Sequence, residues 1–211
     1  MLAGLAVLQG CGGDGDDGLG PPLQLVVPRD TDAGAELRPQ VTLTISNGAG
    51  IDGNLVITLV PEHAPQTVAN FLSYVNSGFY NGTIFHRKEV GFLLQGGGYA
   101  APLAANDRPN HKDVEDPIPL EIKVSNVQGT VGMARTSALN SATSEFFINI
   151  ANNDFLDTSA GGYAAFGYIT DMTLVTAMNQ APCESSIVTQ GGALGCLPIP
   201  NLVITSAVKT R

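Results

Sequence analysis

The sequence predicts a mainly β domain, a closed eight-stranded antiparallel β-barrel capped by two helices, and three observations lead there. Eight short runs rich in β-branched and aromatic residues recur along the chain, and only two stretches keep a helical spacing. Charged residues make up 14% of the chain, beside 25 Gly and 13 Pro, a balance that suits a loop-rich β protein better than a helical bundle. Periodicity by itself reaches a barrel or a sandwich; eight strands with two helices to close the ends imply the barrel. With 211 residues and 44% apolar content, one well-buried core plus a tail is the working assumption.

The elements follow in order. Residues 41–46 (VTLTIS) and 55–60 (LVITLV) are strands, joined as a hairpin through the Gly- and Asn-rich turn 47–54. Residues 65–75 place Val68, Phe71, Leu72 and Val75 at helical spacing, with Pro65 in the first turn and Gly78 just past the end. Further strands are predicted at 84–87, 92–95, 130–134, 146–150, 164–169 and 202–208. A second helix fits 172–178 with Asp171 as its cap, and the cysteine-bearing segment after it reads as a loop leading to the last strand. No internal repeat is present.

The net charge of −9 is uneven. Asp14, Asp16, Asp17, Asp30, Asp32 and Glu36 face only Arg29 between residues 12 and 36, so this short segment is strongly acidic and the rest only mildly so. The ten Lys and Arg are scattered along the chain, with Arg87-Lys88 the one adjacent pair, which leaves little counterion release to drive binding and excludes nucleic acid as the main partner. Residues 1–8 (MLAGLAVL) are far short of the roughly 20 needed to span a bilayer. The run Leu8-Gln9-Gly10-Cys11 resembles a bacterial lipobox, in which the signal is cut before a cysteine that then carries lipid. Gln9 is unusual there, and the missing basic residues suggest that Met1 lies inside a longer signal peptide.

The expected organisation is a truncated lipoprotein signal at 1–10, then Cys11 as lipid attachment with a flexible acidic tether over 11–38, then a folded domain over 39–211. The competing reading is an ordinary disordered start with a stray cysteine. Cys183 and Cys196 would form a disulfide in an oxidising compartment, or else remain two free thiols. A metal site is disfavoured because no CxxC occurs and His63, His86 and His111 lie far from both cysteines in sequence. Signal, tether and cysteine pair point to the periplasmic side of a bacterial envelope, with membrane contact only through the lipid.

The chemistry lies in residues 85–98 (FHRKEVGFLLQGGG), which set Arg87 and Gln95 among large apolar side chains. With 74–80 (YVNSGFY), 129–136 (GTVGMART), 144–148 (SEFFI) and 155–157 (FLD), all in order, the stretch from 41 to 209 resembles the cyclophilins, peptidyl-prolyl cis-trans isomerases, and is similar to their bacterial secreted branch. The resemblance implies a cofactor-free enzyme, a monomer, that turns X-Pro bonds of proline-containing polypeptides, here folding envelope proteins. Arg87 matches the catalytic arginine, and Gln95 the residue that orients it and holds the substrate carbonyl. Phe92, Leu93, Phe147 and Leu156 match the proline slot, with Leu93 in place of the usual methionine. Ala134 and Arg135 match the positions whose backbone pairs with an extended substrate, and Tyr163 stands at the slot's edge. Phe155 replaces the tryptophan that many eukaryotic members use to hold cyclosporin, so weak inhibition is expected.

Glu145 departs from the family's glutamine. A carboxylate beside Arg87 is expected either to pair with it and reduce turnover or to position it. The alternative function is therefore a proline-peptide-binding chaperone or scaffold with little turnover. Lys88, Glu89 and Val90 read as a solvated turn, His86 as a structural hydrogen-bonding residue, and Asp113, Glu115, Asp116 and Glu121 as a solvated acidic face. Phe146 and Phe147 must point to opposite faces of their strand, so only one can line the slot.

Overall fold

A computed structural model describes residues 25–104, 110–189 and 192–211; Cys11 and the tether up to residue 24 lie outside them. Among the described residues ten strands form one antiparallel sheet: β1 (Gln40–Ser46), β2 (Asp52–Leu59), β3 (Thr83–Glu89), β4 (Leu93–Ala100), β5 (Thr130–Met133), β6 (Phe146–Asn149), β7 (Ala165–Tyr168), β8 (Cys183–Thr189), β9 (Gly192–Pro198) and β10 (Leu202–Lys209). The order β10-β1-β2-β7-β5-β6-β4-β3 closes when β10 pairs with β3, which makes the expected eight-stranded barrel. Closure removes the unpaired edges that an open sheet would expose. The helices α1 (Pro65–Asn76) and α2 (Thr173–Gln180) complete it.

Alternation along the strands sorts the core from the surface. In β1, Val41, Leu43 and Ile45 are buried while their neighbours are half-buried. Phe71 from α1 meets Phe146 of β6 edge-on at 5.6 Å, and Tyr80 and Phe85 also pack against Phe146 at 5.5 and 5.8 Å. Phe146 thus belongs to the barrel interior. The start of α1 has no capping side chain of its own, and Glu121 supplies one: its carboxylate accepts from the backbone N–H groups of Gln66 (3.2 Å) and Thr67 (2.8 Å) and from Thr67 Oγ1 (2.8 Å). Glu121 is therefore a helix cap, whereas Asp113, Glu115 and Asp116 are exposed as expected. At α2 the capping position is Met172; Asp171, one residue earlier, still accepts from Thr173 N at 2.9 Å.

Two segments differ from expectation. The cysteine-bearing segment is a β-hairpin, β8–β9, crossed by a Cys183–Cys196 disulfide and laid against β3 through the pairing of Lys88 with Cys196. Its Gly and Pro content hides the strands because the ladder and the covalent bridge hold it, with little apolar alternation. Residues 25–38, read as tether, are strapped to the barrel. Val26 bridges to Val124, and Asp30 accepts from the hydroxyls of Tyr168 (2.7 Å) and Thr170 (2.8 Å). Arg38, only 7% exposed, reaches Asp32 at 3.0 Å, Glu62 at 2.8 Å and the Arg29 carbonyl at 2.9 Å. Of the acids in this segment, Asp32 thus pairs with the buried arginine and Asp30 with two hydroxyls of the barrel.

Candidate active site

Strand register brings the key side chains together. Arg87 on β3 stands opposite Gln95 on β4, and Gln95 stands opposite Phe147 on β6, so the three line up across adjacent strands. Phe147 packs with Leu93 and Leu156 in a cluster apart from the barrel core, while Phe146 points inward. Across the next ladder Gly132 of β5 faces Phe147, and a Cβ there would sit 2.4 Å from Phe147 Cζ. Only glycine leaves the ring its place.

The result is a cleft of about 270 Å³ lined by Arg87, Phe92, Leu93, Gln95, Ala134, Arg135, Phe147, Leu156 and Tyr163. These nine are residues that the sequence places in the catalytic or substrate-binding set; Phe155 and Glu145 stand outside the cleft. Phe155 is 54% exposed and stacks on Phe92 at 5.7 Å, forming an aromatic ledge beyond the rim. The Arg135 guanidinium donates to the carbonyls of Gly162 (2.7 Å), Ala160 (2.6 Å) and Thr136 (2.8 Å) and covers the Tyr163 ring at 4.4 Å. It thereby braces the wall of the slot, and Tyr163 in turn meets Phe147 edge-on. The Ala134 N–H is already donated to the Glu145 carbonyl at 2.9 Å.

Arg87 is held from two sides. Its Nη1 donates to Gln95 Oε1 at 3.1 Å, while Nε (3.0 Å) and Nη2 both donate to Glu89 Oε1. Of the two arrangements expected for Glu145, the direct ion pair with Arg87 does not form, because Gln95 stands between them. Its Nε2 donates to Glu145 Oε2 at 2.7 Å. The solvated reading of 88–90 survives only at Val90, which is 77% exposed. Glu89 grips the arginine, and Lys88 is buried with Nζ donating to the Ala181 carbonyl; burial lowers its pKa.

Around Glu145, His111 Nε2 lies 3.2 Å from Oε1 and His86 Nε2 3.4 Å from Oε2. His86 is fully buried and makes no hydrogen bond with either ring nitrogen, so the expected hydrogen-bonding role narrows to this one close approach. Burial alone would raise the Glu145 carboxyl; the His111, His86 and Gln95 contacts outweigh it and hold the group well below the usual carboxylate range.

Behind the slot runs a buried polar network to which sequence reasoning gives no role. Asp157 Oδ1 accepts from the backbone N–H and Nδ2 of Asn126, both at 2.8 Å, and Asn126 Nδ2 also donates to the Tyr163 carbonyl at 3.0 Å. Asn149 Nδ2 donates to Asn126 Oδ1 (3.2 Å), and Asn153 Nδ2 donates to Asn149 Oδ1 (2.8 Å) and to the Phe92 carbonyl (2.9 Å). The network ties three walls of the slot together. The Asn152-Asn153-Asp154 run and Asp157, polar residues beside apolar strands, are the sequence signal for it.

The family profile described as cyclophilin type peptidyl-prolyl cis-trans isomerase/CLD matches residues 41–204. Peptidyl-prolyl cis-trans isomerase A of Dickeya dadantii is 42% identical over 158 residues, 74% of this chain and 78% of that protein. Peptidyl-prolyl cis-trans isomerase B of Escherichia coli is 38% identical over 162 residues, 75% of this chain and 95% of that protein. Among solved structures, a cyclophilin type isomerase of Cryptosporidium parvum superposes with a TM-score of 0.63 over 82% of this chain and 98% of its own, at 22% identity, and shows the same fold. The chain belongs to the cyclophilin family. It is a peptidyl-prolyl cis-trans isomerase, an enzyme that accelerates rotation about X-Pro peptide bonds of proline-containing polypeptides.

Proposed function

We propose that Arg87 is the catalytic residue, that Gln95 holds both the arginine and the substrate carbonyl, and that Leu93, Phe147 and Leu156 receive the proline ring. The alignment of Arg87, Gln95 and Phe147 across β3, β4 and β6 is the observation that supports this reading. An X-Pro bond turns over a barrier of about 18–20 kcal/mol, and the uncatalysed event takes tens of seconds or more. Twisting breaks amide resonance, so the prolyl nitrogen becomes pyramidal and regains a lone pair. A fixed N–H donor at the slot's edge bonds that lone pair in the twisted state and finds none in the planar one, which is the differential binding that accelerates. No proton need be transferred. Arg87 retains its charge and planar fork, so lysine is a poor substitute.

The Phe92–Phe155 ledge and the face of Tyr163 extend the binding surface along the peptide, and Ala134 and Arg135 present backbone to an extended substrate. A binding module without turnover rested on a Glu145–Arg87 pair, and with Gln95 between them that ground is removed. The decisive experiment is the cis-to-trans rate of a short X-Pro peptide with residues 25–211 and with Arg87→Ala. The variant should lose at least tenfold in kcat while retaining peptide binding; equal rates would end the assignment.

The clients proposed are folding proteins of the bacterial envelope, met by a monomer anchored through lipid on Cys11. Support comes from the lipobox-like LQGC, the acidic stretch after it and the Cys183–Cys196 bond, which suits an oxidising compartment. Incorporation of labelled palmitate into the full-length protein, and its loss in Cys11→Ser, tests the anchor; a soluble, unlabelled wild type would refute it. Sedimentation of the detergent-free domain tests the monomer.

A further inference from the structure

We infer that Glu145 is a positioning residue for the isomerase: as an acceptor-only group it fixes which way the Gln95 amide faces, and through that amide it aims Arg87. This rests on the assignment of Arg87 as the catalytic residue. Gln95 is the single side chain between the two, with Nε2 2.7 Å from Glu145 Oε2 and Oε1 3.1 Å from Arg87 Nη1. An ionised carboxylate accepts and never donates, and a guanidinium donates and never accepts. The amide therefore has one satisfied orientation. Turned over, it would set oxygen against carboxylate and N–H against guanidinium, losing both bonds and leaving half-buried polar groups opposed.

A glutamine at position 145 would lift that restriction. Its own amide could accept from Gln95 or donate to it, so both orientations of Gln95 would be satisfied on that side, and one of them points a donor at Arg87. The present arrangement is built to prevent this. Glu145 is 20% exposed and gripped from its other side by His111 Nε2 at 3.2 Å, with His86 Nε2 at 3.4 Å below it. Gly98 on β4 makes room for it: a Cβ there would sit 2.6 Å from Glu145 Oε1 and 2.7 Å from its Cγ. A side chain merely tolerated at this position would need neither the histidines nor the cradle.

The test is steady-state kinetics of X-Pro isomerisation with five variants of the protein, each checked for folding by circular dichroism. Arg87 meets the prolyl nitrogen only in the twisted state, so a misaimed arginine lowers kcat and leaves KM nearly alone. Glu145→Gln should lower kcat about three- to tenfold with KM within twofold. Gln95→Glu alone puts two carboxylates side by side and should lose more. The exchange Gln95→Glu with Glu145→Gln restores an acceptor-only group facing Arg87, now donated to by the new amide, and should raise kcat above that of Gln95→Glu alone, short of wild type because a carboxylate at 95 cannot donate to the substrate carbonyl. His111→Ala, at a half-exposed position where folding is unthreatened, should lower kcat about twofold. If Glu145→Gln and His111→Ala both match wild type, or the exchange does no better than Gln95→Glu alone, the inference is overturned. If Arg87→Ala also matches wild type, the arginine assignment falls and takes this inference with it.

Discussion

Glu89 accepts two hydrogen bonds from Arg87 on one carboxylate oxygen, from Nε at 3.0 Å and from Nη2. The pair occupies the edge of the guanidinium that faces away from Gln95, so Nη1 is the corner left toward the slot. Both side chains are partly exposed, at 28% and 38%, which holds the pair's worth to about 1 kcal/mol. Glu89→Ala should therefore lower kcat/KM about fivefold, measured on an X-Pro peptide at low salt. A rise in rate would mean instead that the carboxylate withholds the arginine.

Gly132→Ala should damage the slot more than the barrel. The new Cβ would meet Phe147 Cζ at 2.4 Å, and the ring cannot shift without leaving Leu93 and Leu156. Overpacking of this kind costs about 1–3 kcal/mol. The expected outcome is a modest fall in melting temperature together with at least a tenfold loss of kcat/KM; loss of stability with unchanged kinetics would show that the ring does not form the floor of the slot.

The His111–Glu145 contact predicts a pH window. His111 is raised above its ordinary 6.5, chiefly by the hydrogen bond to Glu145, so its contribution to stability is full below 6.5 and disappears as pH climbs through the raised value. Burial alone would raise Glu145, yet its partners carry it far below its ordinary 4.5, so its contribution is full above 4.5 and disappears only in strong acid. The two overlap between 4.5 and 6.5. Thermal melts should show a stability gain in that interval that His111→Ala reduces, the difference between the two proteins shrinking as pH climbs through the raised value; identical profiles for the two proteins would exclude the coupling.

Reduction of Cys183–Cys196 should open the β8–β9 hairpin and spare the barrel. The bridge closes a loop of sequence separation 13, for which the chain-entropy contribution is about 3 kcal/mol. Beyond its own ladder the hairpin's strand contact is the pairing of Lys88 with Cys196. Amide exchange across 183–198 should quicken about a hundredfold after reduction while the barrel strands keep their protection. Uniform loss of protection would show instead that the hairpin is part of the barrel's cooperative unit.

The eight barrel strands were legible because each must present alternate apolar residues to one core, and Val41, Leu43 and Ile45 on β1 do so plainly. The helices were legible to within two residues at each end. The hairpin was not, since its order comes from backbone pairing and a covalent link, and neither leaves an apolar pattern. The strap at 25–38 was hidden for another reason: its acids find Arg38, Tyr168 and Thr170, partners that only the folded chain brings near. In the site, motif resemblance locates the cleft residues but gives Glu89 no role, although the sequence carries a signal for one. Positions 87 and 89 of one strand share a face, so an arginine and a glutamate two apart are natural partners. That Gln95 intervenes between Arg87 and Glu145 depends on how β3, β4 and the residue before β6 lie side by side, which no sequence spacing encodes.

Closure of the barrel by β10 has a consequence for how the protein comes into being. Lys209 pairs with Val41, and Leu202 with Phe85, so the first and third strands each wait for the last. Contacts so distant in sequence make for slow assembly, with sheet edges uncovered in the interval. During synthesis an emerging chain can form the β1–β2 hairpin early, but it acquires a seamless wall only when its tenth strand is in hand. A catalyst of X-Pro rotation in other polypeptides thus keeps its own sheet unsealed until its last strand is made.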